Sequence, residues 1–191
     1  MIITKSFLLF LFVYLYGFYD GVSQNRDTVK CWNNHEKLKW GDFLGDIPIK
    51  ESKTNTRAVC PHEIVVSPFR ERGVLNYRVK VIFLKNLAWT KDSTQYALAH
   101  EQLHFDIAEL VARRLRKCIK QIRDKDRSSS NNDDYRNIIE QLLSEEEKMQ
   151  NLYDTETAHG IYKNHQSVWN KRIAKELESL RDYSSTVNDC Q

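Results

Sequence analysis

A chain of 191 residues with a formal net charge of +3, from 29 Lys and Arg against 26 Asp and Glu, has the length of one domain with a substantial core. Its charges are mixed along the chain rather than massed, so nothing calls for nucleic acid as a partner. The four cysteines, Cys31, Cys60, Cys118 and Cys190, include no Cys-x-x-Cys pair and are poor candidates for a thiolate metal cage.

Met1 to Lys5 is a short, weakly basic start, and Ser6 to Phe18 is an almost unbroken apolar run too short for a comfortable membrane span. Gly21-Val22-Ser23 then offers the small residues at which a signal peptidase cuts. Residues 1–23 are therefore expected to be a signal peptide and 24–191 a single mature domain, secreted or periplasmic, with no membrane contact after cleavage and monomeric. Four cysteines outside the cytoplasm suggest disulfides, and all three pairings are open. The preferred pairing, Cys31 with Cys60 and Cys118 with Cys190, would staple the strand-rich part to itself and helix to helix.

From Cys31 to about Trp89 the pattern is one of short strands and turns. Lys37 to Trp40 alternates before Gly41-Asp42, Glu63 to Val66 is β-branched and precedes Pro68, and Asn76 to Leu84 alternates through Tyr77, Val79, Val81 and Phe83. These predict a small, mainly antiparallel sheet, with the strand from Asn76 to Leu84 at the edge of a cleft. From Asp92 the period becomes 3.6 and proline disappears, which permits long helices. Asp92-Ser93-Thr94-Gln95 has the form of a capping box, so the first helix is expected to begin near Ser93. Asp124 to Asn132 is polar and rich in turn formers, a loop. A second helix should follow through Ile138, Leu142 and Met149, and a third from near Gly160 through Trp169, Ile173 and Leu177 to about Leu180. The fold class predicted is α+β, a sheet followed by about three helices.

On a wheel of about 100° per residue, Ala97, His104, Ile107 and Val111 fall within about 60° of His100, and Gln102, Asp106, Glu109 and Arg113 fall opposite. Arg113-Arg114-Leu115-Arg116-Lys117 is expected to be a solvated helix face. His100-Glu101-Gln102-Leu103-His104 is a His-Glu-x-x-His pentapeptide on that helix. Residues four apart lie slightly more than one turn apart, so both imidazoles can fill adjacent corners of a zinc tetrahedron. Glu101, about 100° round, is displaced from the ligand direction and placed to take a proton from a water whose pKa the zinc lowers to about 7.

A catalytic zinc needs a third protein ligand and an open fourth position. Tyr153 to Gly160 concentrates the remaining ligand types. His159 is the preferred third ligand, with Gly160 beside it allowing close backbone approach. Glu156 comes next, because an unbroken second helix would put it on the face of Met149 and Ile138. Asp154 is last, because it would then point away, although it could cap a new helix or orient an imidazole. Tyr153 and Tyr162 are candidate donors to an oxyanion, and His35, His62 and His165 are expected at the surface.

His100 to Leu110, Ala112 to Arg116, Leu38 to Gly45, Trp89, Tyr153-Asp154 with Thr157, His159 and Gly160, and then Gln166 and Trp169 together resemble a known family. It is that of the predicted secreted zinc-dependent proteases of bacteria, catalogued as domain of unknown function 922. The resemblance extends over nearly the whole mature chain and implies a zincin-like arrangement. Asp106 and Glu109 belong to the resemblance too, and their place opposite the metal assigns them to holding neighbouring elements. The function expected is a zinc metallopeptidase with a protein or peptide substrate. The alternatives are a zinc amidase or esterase acting on a non-protein substrate, and a secreted binding protein without activity.

Overall fold

The computed structural model describes residues 28–125 and 132–186. The expected signal peptide, most of the expected loop at 124–132 and Cys190 lie outside the described residues. The longest strands form a hairpin, β3 (His62–Glu71) and β4 (Val74–Leu84), in register from Glu71 opposite Val74 to His62 opposite Phe83. The two residues between them, Arg72 (φ 50°) and Gly73 (φ 84°), take the left-handed conformation that matches the twist of a tight hairpin. β1 (Val29–Cys31) pairs antiparallel with Ile82 to Leu84, giving the order β1-β4-β3. A second, two-stranded antiparallel sheet joins β2 (Ala58–Val59) to β5 (Trp89–Thr90), just ahead of the first helix. Pro68 lies inside β3 rather than ending it, which an edge strand tolerates because one row of its N–H groups has no ladder partner.

Three helices follow: α1 (Gln95–Lys125), α2 (Asn132–Thr157) and α3 (Lys163–Ser179). α1 starts two residues later than expected, because the Thr94 hydroxyl takes the Ala97 N–H while Asp92 accepts the Thr94 N–H. Among the described residues the architecture is a mixed α+β fold with small antiparallel sheets and three α-helices. Among the described residues no helix is long and apolar enough to cross a membrane.

α1 sits between two cores. Phe105, Ala108, Val111, Ala112, Leu115 and Ile119 pack with Val79, Val81 and Phe83 of β4 and with Trp32. Leu103, Ile107 and Leu110 pack with Tyr153 of α2 and with Trp169 and Ile173 of α3. Covered on both sides, the helix has little solvated face over this stretch, and several expectations change for that reason. Arg113 is 3% exposed, with its Nε on Glu109 at 2.9 Å and its other nitrogens on the Leu177 carbonyl and the Ser184 hydroxyl. Arg116 reaches Glu109, the Val79 carbonyl and Ser185. Arg113 and Arg116 thus tie to a fully buried Glu109 and Arg114 pairs with Glu176, so the basic cluster is not a solvated face. Asp106 accepts the Trp32 indole N–H at 2.7 Å, so Asp106 and Glu109 do hold neighbouring elements.

Lys37 to Trp40 is not a strand. Leu38 donates its backbone N–H to Gln102 of α1, and Trp40–Asp42 forms a 3-10 turn. β4 is the central strand, not a cleft edge: β1 takes its far end, and Val81 and Val79 give their carbonyls to Trp32 N–H and Arg116. Cys60 and Cys118 are free thiols, so neither preferred disulfide forms. Cys60, just after β2, is sealed in the core beneath α1, and Cys31 is disulfide-bonded elsewhere.

Candidate metal centre

His100 and His104 lie on the second and third turns of α1, one turn apart, with Nε2 atoms 3.2 Å from each other. His100 is 5% exposed and the His104 side chain 13%. The turn facing them comes from the end of α2, and the group it presents is Asp154. Its Oδ1 stands 3.2 Å from Nε2 of His100 and 3.1 Å from Nε2 of His104. These three atoms make a nearly equilateral triangle. Donors bound 2.0–2.1 Å from a tetrahedral zinc stand about 3.3 Å from one another, so the triangle has the dimensions of one tetrahedral face. Asp154 Oδ1 is buried and among the described residues has no donor besides the two imidazoles, an arrangement that is costly unless a proton or a metal ion lies between them. His100, His104 and Asp154 are a group of residues able to hold a metal ion, and the residues present fit one.

The other ring nitrogens are held from behind. Gln150, one turn before Asp154 on α2, donates its amide N–H to the His104 carbonyl at 3.0 Å, which turns its Oε1 toward Nδ1 of His104 at 2.7 Å. Nδ1 must then carry the proton, leaving Nε2 to face the centre of the triangle. His100 is held similarly: its Nδ1 lies 3.0 Å from Gln166 Oε1 of α3 and 2.7 Å from the Tyr153 hydroxyl, which donates to the same Oε1. Gln166 in turn gives its N–H to Asn170, which fixes the amide orientation.

The electrostatics follow from these contacts. Burial alone would depress His104, but the Asp154 carboxylate and then Glu101 outweigh it and raise the imidazole to about 9. Without a metal, a proton therefore fills the gap at neutral pH. Burial works against ionisation of Asp154, yet the imidazoles of His100 and His104, with His159 beyond them, hold its carboxyl well below the usual range. Glu101 is 6% exposed, and burial pushes its carboxyl up against the opposing pull of His104 and His100. No hydrogen bond among the described residues ties its carboxylate down, so it stands beside the triangle as an available base.

The rest of the expected set is placed as follows. His159, the preferred third ligand, is not in the cluster: its side chain is 64% exposed and its Nδ1 reaches the outer oxygen of Asp154 at 3.2 Å. Glu156 points away, taking the Trp169 indole N–H at 2.7 Å. Asp154, placed last, is the residue that converges. α2 continues unbroken to Thr157, and its inward stripe near the end is Met149, Tyr153 and Thr157, with Gln150 on the side that faces His104. That stripe is rotated toward α1, and Asp154 falls on its flank. Tyr153 is fully buried and spends its hydroxyl on Gln166, while Tyr162 is 56% exposed. Gln150 was not foreseen, although it lies one helical turn before Asp154, and Gln166 entered only through the family resemblance, with no role assigned.

The chain past α2 turns back through three successive left-handed residues, Ala158 (φ 49°), His159 (φ 53°) and Gly160 (φ 78°). The Thr157 hydroxyl takes the Gly160 N–H, and Arg57 ties down the His159 carbonyl. This presses Gly160 against His100 so closely that a Cβ there would lie 3.0 Å from the ring Cγ. The glycine thus serves close approach, as expected, but to an imidazole ring.

Residues 86–160 match the family described as "Bacterial protein of unknown function (DUF922)". The matched stretch, under half of the chain, carries β5, α1, α2 and the turn to Gly160, and so all three donors, Glu101, Gln150 and Gly160. Gln166, which holds His100 from α3, lies beyond it. No curated protein and no solved structure matches the chain.

Proposed function

We propose that this protein is a secreted, zincin-like, zinc-dependent metallopeptidase with protein or peptide as its substrate. The observation that carries the reading is the convergence of His100 Nε2, His104 Nε2 and Asp154 Oδ1 on one tetrahedral face, with Glu101 beside it. Two nitrogens and a carboxylate oxygen suit zinc, and three protein donors leave a fourth position open. When bound, zinc polarises a substrate carbonyl and lowers the pKa of a water.

The remaining chemistry belongs to the chain. Gln150 and Gln166 keep both imidazoles turned with Nε2 inward, so little reorganisation is needed at the moment of binding. Glu101, lifted by burial, takes a proton from the attacking water at its carboxylate and delivers it to the leaving nitrogen. The sheet stacked on α1 and the α2–α3 pair behind it hold these groups on rigid elements.

Purified protein should contain about one zinc per chain by metal analysis. Glu101→Gln should keep that zinc and lose hydrolysis of an unstructured protein such as casein. Well-folded protein that takes up no zinc at neutral pH would remove the metal site. Undiminished hydrolysis by Glu101→Gln would leave the site but remove the base.

A further inference from the structure

Behind Gln150 lies a second set of polar groups that the reaction does not use. Glu146, one turn earlier on α2, accepts the Gln150 amide N–H at 2.6 Å. Its Oε1 also stands 3.0 Å from Nε2 of His62, the first residue of β3. His62 is anchored from its other nitrogen, Nδ1, on the Cys60 carbonyl at 2.9 Å, and its Nε2 is 3.0 Å from the Gln150 amide nitrogen. Both side chains are largely buried, at 14% and 17% exposure. Neither touches His100, His104 or Asp154 in any hydrogen bond or ion pair among the described residues.

An amide held by a single bond can flip, exchanging its oxygen and nitrogen. For Gln150 a flip would point an N–H at Nδ1 of His104 and force the imidazole proton onto Nε2, where the metal must bind. Two acceptors oppose this. The His104 carbonyl is one, and the Glu146 carboxylate is the other; a carboxylate accepts only, so the atom facing it must be the amide nitrogen. His62 fixes the carboxylate from the sheet side. We infer that Glu146 and His62 are positioning residues for the metal centre: they lock the Gln150 amide, and through it the tautomer of His104. The lock runs from β3 through α2 to α1, so the sheet helps set metal affinity without supplying a ligand.

This inference rests on the metal reading of the site, and a double-mutant cycle on zinc affinity tests the two separately. Zinc dissociation constants are measured by competition with a chromophoric chelator for wild type, Glu146→Ala, Gln150→Ala and the double variant. Loss of a group that orients a ligating histidine weakens metal binding by about 10–100-fold. Gln150→Ala should fall in that range and Glu146→Ala near its lower end. The double variant should match Gln150→Ala alone, because the carboxylate has nothing left to hold. The isosteric Glu146→Gln, which keeps an accepting oxygen, should recover affinity to within about threefold of wild type.

Multiplying effects in the double variant, or wild-type affinity in Glu146→Ala, would overturn the inference while leaving the metal site standing. Absence of zinc binding by wild type would instead remove the site itself, and the inference with it. Should Glu146→Ala not fold, Glu146→Leu, which fills the volume without accepting a hydrogen bond, takes its place in the cycle.

Discussion

Replacing Gly160 by Ala tests whether the turn after α2 sets the metal site, because the change adds one methyl group at a known place. The backbone there is left-handed, at φ 78°, which costs a residue with a Cβ about 1–2 kcal/mol. The new Cβ would also lie 3.0, 3.1 and 3.3 Å from the Cγ, Nδ1 and Cβ of His100, closer than ordinary contact. Either the ring or the turn must retreat by a few tenths of an ångström. Metal–ligand distances tolerate only about 0.2 Å, so Nε2 of His100 leaves its corner of the triangle. For a chain of this size the backbone cost alone lowers the melting temperature of the metal-free protein by about 2–8 °C. Zinc affinity should fall about 10–100-fold on top of that, as for other displacements of a ligating histidine. Thermal unfolding by circular dichroism without metal and chelator competition with zinc read the two effects separately. Ala158→Gly, two residues away at φ 49°, is the control: it relieves a left-handed residue without touching His100, and should raise stability by about 1 kcal/mol with zinc affinity unchanged. Unaltered melting and unaltered zinc binding in Gly160→Ala would show that the close contact, and the reasoning built on it, is wrong.

Asp154→Asn should weaken zinc binding by 100-fold or more, since it removes the only anionic donor of the triangle, whereas His159→Ala should stay within about tenfold of wild type; calorimetric titration ranks the two, and the reverse order would restore His159 as a ligand. Metal binding must displace the proton that His104 holds with a pKa raised to about 9, so zinc affinity should rise by up to about tenfold per pH unit between pH 6 and 8, and a flat profile would exclude that proton. Glu109→Ala should cost about 3–5 kcal/mol in urea unfolding, because it strands the buried Arg113 and loosens Arg116 and Ser185, and a stability loss under 1 kcal/mol would refute the buried network.

The features legible in the residues alone are those that a single helix or hairpin decides locally. His100 and His104 share a side of α1 because residues four apart always do, and Glu101 stands about 100° round from His100 by the same geometry. The alternation of Val79, Val81 and Phe83 marked β4, and the 3.6-residue period after Asp92 marked the helices. The third donor was different. The choice between Asp154 and Glu156 depends on how far α2 is rotated about its own axis, and the place of His159 depends on the turn that follows the helix end at Thr157. Packing on α1 fixes that rotation, through Tyr153 on His100 and Gln150 on His104. Tertiary structure alone likewise buried Arg113 and Glu109, by covering α1 on both sides. It also put β4 at the centre of the sheet and left Cys60 sealed in the core. Periodicity gives the angle between residues on one element; which of those angles faces the metal is settled by the neighbours that press against it.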